Sequence, residues 1–105
     1  MRSIADFRKL AIAFPGAEEA PHFHLASFRV NKKIFATLHE KDNRGMVKLS
    51  LVDQSVFCTY NSMIFYPVPG AWGKKGATFV DLKKVQKQLC KAALECAYQL
   101  AVSKK

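Results

Sequence analysis

The sequence predicts a two-layer α+β domain of the order α-β-β-β-α-β-β-α, with a five-stranded antiparallel sheet and helices mainly on one face. Three observations carry this. Apolar residues recur at helical spacing at both ends of the chain. Between residues 24 and 82 the period drops to two, with Asn, Asp, Pro and Gly at the breaks. The strand segments are apolar on one side and largely polar on the other, as in a sheet covered on a single face. At 105 residues the chain is one domain, 1–105, with one modest core.

Each element has its own signal. Ser3, with Asp6 three residues on, reads as a helix start resembling a capping box. Ile4, Phe7, Leu10, Ala11 and Phe14 then share one face, and Pro15-Gly16 ends the helix. Glu18 and Glu19 form an acidic loop. In residues 24–30, Ala26, Phe28 and Val30 point one way and Leu25, Ser27 and Arg29 the other. Asn31-Lys32 is a two-residue turn. Ile34, Ala36 and Leu38 continue the apolar face, with Phe35, Thr37 and His39 opposite. Residues 41–45 make a loop. Val47, Leu49 and Leu51 give a third strand, with Met46, Lys48 and Ser50 on the wet side.

Asp53 is the expected N-cap of a short helix from Gln54 to Tyr60, which Asn61 stops in a left-handed conformation. Ile64, Tyr66 and Val68 make a fourth strand and Thr78, Val80 and Leu82 a fifth. Between them lies a loop rich in Pro and Gly that carries Trp72, Lys74 and Lys75. Residues 83–102 read as a long helix. Its core stripe is Val85, Leu89, Ala92, Ala93, Cys96 and Leu100, and Lys83, Lys84, Lys87 and Lys91 lie opposite. Leu94, Ala97 and Tyr98 extend the apolar surface to the lysine side. Either the chain itself covers them, or they form a patch for a partner or a second copy.

Composition bounds the function. Seventeen Lys and Arg against eight Asp and Glu give a net charge of +9. That charge favours polyanions: nucleic acid, then an anionic membrane surface or an acidic protein. The N-terminus carries charges among its apolar residues and is no signal peptide, and no apolar run is long enough to span a membrane. Cys58, Cys90 and Cys96 are odd in number and form no CxxC pair. Cys90 and Cys96 are about 9 Å apart along a helix, too far for a disulfide. They read as small apolar thiols in a reducing cytoplasm.

Catalytic and metal chemistry find little footing. His22 and His24 place two rings on one strand face, but His39, Glu40 and the cysteines offer no fixed third ligand. Glu18 and Glu19 point apart as neighbours in a loop. No phosphate loop, catalytic triad or Cys/His signature is present, and nothing calls for a cofactor. The expectation is a non-enzymatic protein.

The basic residues form the candidate site. Arg29 and Lys48 should project from the wet sheet face, with Phe35 beside them. Lys32 and Lys33 lie at a hairpin end, and Lys74 and Lys75 beside Trp72. Lysine and arginine neutralise phosphates, and an exposed indole stacks on a base or wedges at the backbone. The other reading of Trp72 is a ring folded back over the edge of the core.

The order of segments resembles the MmcQ/YjbR family of small bacterial proteins. The resemblance rests on residues 14–19 (FPGAEE), 28–30 (FRV), 33–36 (KIFA), 66–76 (YPVPGAWGKKG) and 78–82 (TFVDL), which span nearly the whole chain. Two departures stand out: Asn31-Lys32 where a glycine is common before the lysine, and Ala77 where relatives often carry a second aromatic. The resemblance implies the strand order 1-2-5-4-3, which makes residues 41–45 a crossing connection. It implies DNA binding through wing-like hairpins, and a fold shared with type III secretion chaperones, which bind protein segments. The expected function is electrostatic binding of duplex DNA with low sequence specificity, through Arg29, Lys32, Lys33, Lys48, Trp72, Lys74 and Lys75. The alternative is a protein-interaction or chaperone-like module using Leu94 and Tyr98, and a third reading is a small-molecule pocket or enzyme.

Overall fold

The computed structural model describes residues 4–23 and 25–103; the expected Ser3 cap and His24 lie outside them. The elements are α1 (Ile4–Ile12), β1 (Glu18–His22), β2 (Leu25–Val30), β3 (Lys33–His39), β4 (Arg44–Lys48), α2 (Leu51–Tyr60), β5 (Phe65–Pro67), α3 (Ala71–Lys74), β6 (Ala77–Asp81) and α4 (Lys87–Ser103), with a 3-10 turn at Glu40–Asp42. The α+β class holds, but the antiparallel sheet has six strands in the order β1-β2-β3-β4-β6-β5.

The additional strand is β1. Its Glu-Glu-Ala-Pro-His sequence lacks β-branched residues, so periodicity alone marks it as loop. It forms because β2 and α1 hold it: Ser27 Oγ donates to the Ala20 carbonyl at 2.7 Å and the Arg29 guanidinium to the Pro21 carbonyl at 3.3 Å. Glu18 faces Arg29 across the ladder, and Glu19 accepts from Arg8 at 3.0 Å, tying the strand to α1. Pro21 and Pro67 fall on the two edge strands, where a missing N–H costs no ladder bond.

The strand order corrects the expectation of 1-2-5-4-3. β3 and β4 pair directly, with Thr37 facing Met46 and Leu38 facing Gly45. Residues 40–43 are therefore a tight connection, closed by Asn43 in the left-handed conformation (φ 52°) and by its N–H donating to the Glu40 carbonyl. The true crossing is α2, which carries the chain from β4 to edge strand β5. β6 then returns between them.

The β2–β3 turn at Asn31-Lys32 forms as the sequence suggests, with φ of 52° and 66°. Just inside it the register shifts. Phe28 faces Ala36, but Arg29 faces Ile34, so Phe35 is an extra residue in a β-bulge. This turns Phe35 out of the expected wet face into the core, where it meets Phe14 and Tyr98 edge-on at 6.3 and 5.7 Å.

α4 crosses β2, β3 and β4, α1 packs on α4 and β3, and α2 packs on β5. The main core joins Phe7, Phe28, Val47, Leu49, Phe65 and Val80 to α4. The buried stripe of α4 is Cys90, Ala93, Leu94, Ala97, Tyr98 and Ala101, rotated from the expected one. Leu94 is fully buried and Tyr98 stacks on Phe14 at 4.9 Å while its hydroxyl donates to the Pro15 carbonyl. The chain itself covers this surface, so Leu94 and Tyr98 present no patch to a partner. The far sheet face is drier than expected. Met46, Ala77 and Phe79 are buried there against Tyr66 and Val68, and the Arg44 guanidinium lies 3.8 Å over the Phe79 ring.

The helix boundaries also move. Ser50, not Asp53, caps α2: its Oγ accepts from the Asp53 N–H at 3.1 Å. Asn61 ends that helix in an extended conformation (φ −158°). α4 begins at Lys87 because Asp81 holds the preceding turn, its carboxylate accepting from the Lys83 N–H at 2.9 Å.

Candidate functional site

Four of the seven basic or aromatic candidates converge at one end of the sheet. Lys33 opens β3, Lys48 closes β4, Trp72 lies on α3 and Lys75 follows it. All four line a single cavity of about 530 Å³. Its floor is apolar: Phe35 from β3, Leu49 just after β4, and Ala97, Leu100 and Ala101 from α4. The ammonium of Lys48 lies 6.0 Å from the centre of the Trp72 ring, at the outer limit for a cation–π contact. Trp72 is 57% exposed, so it walls the cavity and still offers a face to solvent.

The loop before β6 is shaped to place Trp72 and Lys75. A Cβ on Gly73 would come within 1.8 Å of the Val68 carbonyl oxygen, and one on Gly76 within 1.8 Å of the Leu49 carbonyl oxygen. Gly76 also has φ of 113°. These two glycines let the one-turn α3 press against the sheet end. Gln54 of α2 then holds it, its side-chain amide donating to the carbonyls of Gly73 at 2.8 Å and Ala77 at 3.2 Å. Sequence reasoning missed Gln54, since a polar residue on a short helix carries no pattern that separates it from solvent-facing neighbours. It also missed the α4 side of the cavity, whose only trace is the small-residue spacing Ala93, Ala97, Ala101.

The other three candidates lie apart from the cavity lining. The Arg29 guanidinium is turned back, donating to Ser27 Oγ and to the Pro21 carbonyl, both at 3.3 Å. Lys32 is exposed at the turn and Lys74 at the end of α3. Both adjoin a cavity lysine in sequence.

Burial pushes the Cys90 thiol up to about 12. It also raises Cys58, and Cys96 is raised by burial and by the charges of Asp53 and Glu95. None is poised as a nucleophile. Among the described residues no group of His, Cys, Asp or Glu is placed to hold a metal ion, and no helix is long and apolar enough to cross a membrane. An apolar surface exists elsewhere: Val52, Val56 and Tyr60, spaced four apart on α2, are all well exposed.

No curated protein matches the chain. Among solved structures, the crystal structure of Deinococcus radiodurans protein DR2400, with a DUF419 domain, superposes with a TM-score of 0.83, covering 99% of this chain and 81% of the other. At 19% identity that likeness establishes the fold. The family model described as YjbR matches residues 12–100. That span runs from the end of α1 through β6 and most of α4, and the chain belongs to the YjbR family.

Proposed function

We propose that this protein is a non-enzymatic domain that binds duplex DNA through its phosphates, with little sequence preference. The observation that carries the reading is the meeting of Lys33, Lys48 and Lys75 beside an exposed Trp72, on a chain of net charge +9. No Asp or Glu lines the same cavity. Three ammonium groups at one sheet end make a positive field that backbone phosphates enter without base-edge contacts. Lys32 and Lys74 extend it on either side. The three free cysteines fit a reducing, cytoplasmic setting.

The test is fluorescence anisotropy with labelled duplexes across a salt series. Each phosphate contact contributes about −0.9 to the slope of log K against log salt. The double variant Lys48→Gln/Lys75→Gln should therefore flatten the slope by about 1.8 and weaken binding to all sequences alike. No binding at low salt, or tight binding indifferent to salt, rejects the reading.

A further inference from the structure

The cavity behind the lysines has a chemistry that phosphate binding leaves unused. Its mouth carries Lys33, Lys48 and Lys75, and its floor is hydrocarbon from Phe35, Leu49, Ala97, Leu100 and Ala101. At about 530 Å³ it falls in the size range of small-molecule sites. Its depth has a local cause. Ala97 and Ala101 stand one turn apart on the inner side of α4, where larger side chains would fill the gap. The bulge at Phe35 supplies the opposite wall.

Charge at the mouth and an apolar floor select a ligand with one anionic end and an apolar body. A nucleobase is a poor occupant, because its edge donors and acceptors would find only hydrocarbon side chains below. The Leu49 N–H, on the sheet side of the floor, already donates to the Gly76 carbonyl at 3.0 Å. A backbone phosphate engages the mouth but does not fill what lies beneath it.

We propose that this cavity binds an organic carboxylate with an apolar, ring-bearing body. The carboxylate lies between Lys48 and Lys75, and the body lies against Trp72 and the alanine floor of α4. This binding goes beyond the DNA reading and does not depend on it.

Trp72 is the only tryptophan in the chain, so its emission reports on the cavity wall. The full chain is titrated, without DNA, with 4-phenylbutyrate and with the neutral 4-phenyl-1-butanol. Amide NMR shifts are followed in parallel. The expected result is a saturable change in Trp72 emission with Kd on the order of 0.1–1 mM for the carboxylate. The alcohol binds at least about tenfold more weakly, and the NMR shifts cluster at residues 48, 49, 75, 97 and 101. Lys48→Gln/Lys75→Gln should lose about tenfold of carboxylate affinity while leaving the alcohol unchanged. Ala101→Leu, confirmed folded by circular dichroism, should abolish both.

No saturable change in the millimolar range overturns the proposal. So does an alcohol that binds as well as the carboxylate, or shifts that map away from α4. Because DNA is left out, the two proposals fail separately: loss of carboxylate binding leaves the salt-slope experiment to stand by itself, and the converse holds.

Discussion

Leu94→Ala separates a core residue from an interface residue. Leu94 has no exposed surface and lies on the buried stripe of α4, between Cys90 and Tyr98. Truncation to alanine removes about three methylene equivalents, each worth roughly 0.8 kcal/mol on burial, or about 2.4 kcal/mol in transfer alone. Leu94 belongs to the main core cluster, whose packing relaxes only in part around a deletion, so a cavity term adds to it. Leu→Ala substitutions at such sites cost about 2.7–5 kcal/mol. A domain of this length has roughly 5–15 kcal/mol of total stability, so the variant should lose a large part of it.

The assay is urea unfolding followed by far-ultraviolet circular dichroism and by Trp72 emission, with sedimentation velocity on the folded protein. The expected outcome is a fall of about 3 kcal/mol or more with the oligomeric state unchanged. A loss below about 1 kcal/mol, above all with dissociation of an oligomer, would refute the burial argument. Leu94→Glu sharpens it. As an interface charge it would leave a folded monomer; as a buried unpaired carboxylate it should prevent folding.

Three further outcomes are expected. Lys32 holds φ of 66° at the β2–β3 turn, so Lys32→Gly should raise stability by about 0.5–1 kcal/mol, less than the full relief because glycine loses more chain entropy; denaturant midpoints check this. Gln54→Ala removes the two side-chain hydrogen bonds that hold α3, and should cost about 1–2 kcal/mol and red-shift Trp72 emission as its loop loosens. Cys90 has a folded pKa raised by burial from 9.0 to about 12, so the unfolded thiol ionises first as pH rises. Its contribution is fully present below about pH 9 and is lost between there and pH 12. Unfolding midpoints across that window should fall less steeply in Cys90→Ala than in the parent protein.

What the sequence revealed was local, and what it hid was long-range. The Asn31-Lys32 turn, the face of α1 and the existence of α2 and α4 follow from residues within a turn or two of one another. Phe35 was misplaced because a bulge shifts the period by one, and a strict alternation carries no sign of where that happens. Strand β1 was missed because its stability comes from Arg8 and Arg29, remote in sequence, and not from its own propensity. Leu94 and Tyr98 looked surplus on α4 alone. Tyr98 is core because Phe14 and Phe35 arrive from elsewhere to pack on it, and Leu94 lies in the same buried cluster.

Strand order decides whether the candidate site exists. Lys33 and Lys48 belong to strands that the expected order 1-2-5-4-3 separates by two others. At about 4.8 Å per strand, that puts them roughly 14 Å apart across the sheet. In the observed order β3 and β4 are neighbours, and both lysines reach the same sheet end. β6 follows next, bringing Lys75 and, through the glycine-shaped loop before it, Trp72. The cluster therefore depends on α2 being the crossing connection. A rearranged connection, or a Gly76 variant that pushes the loop off Leu49, would disperse the charges while leaving composition and net charge nearly unchanged. A basic composition favours a polyanion; the β3-β4-β6 adjacency gathers Lys33, Lys48 and Lys75 at one end of the molecule.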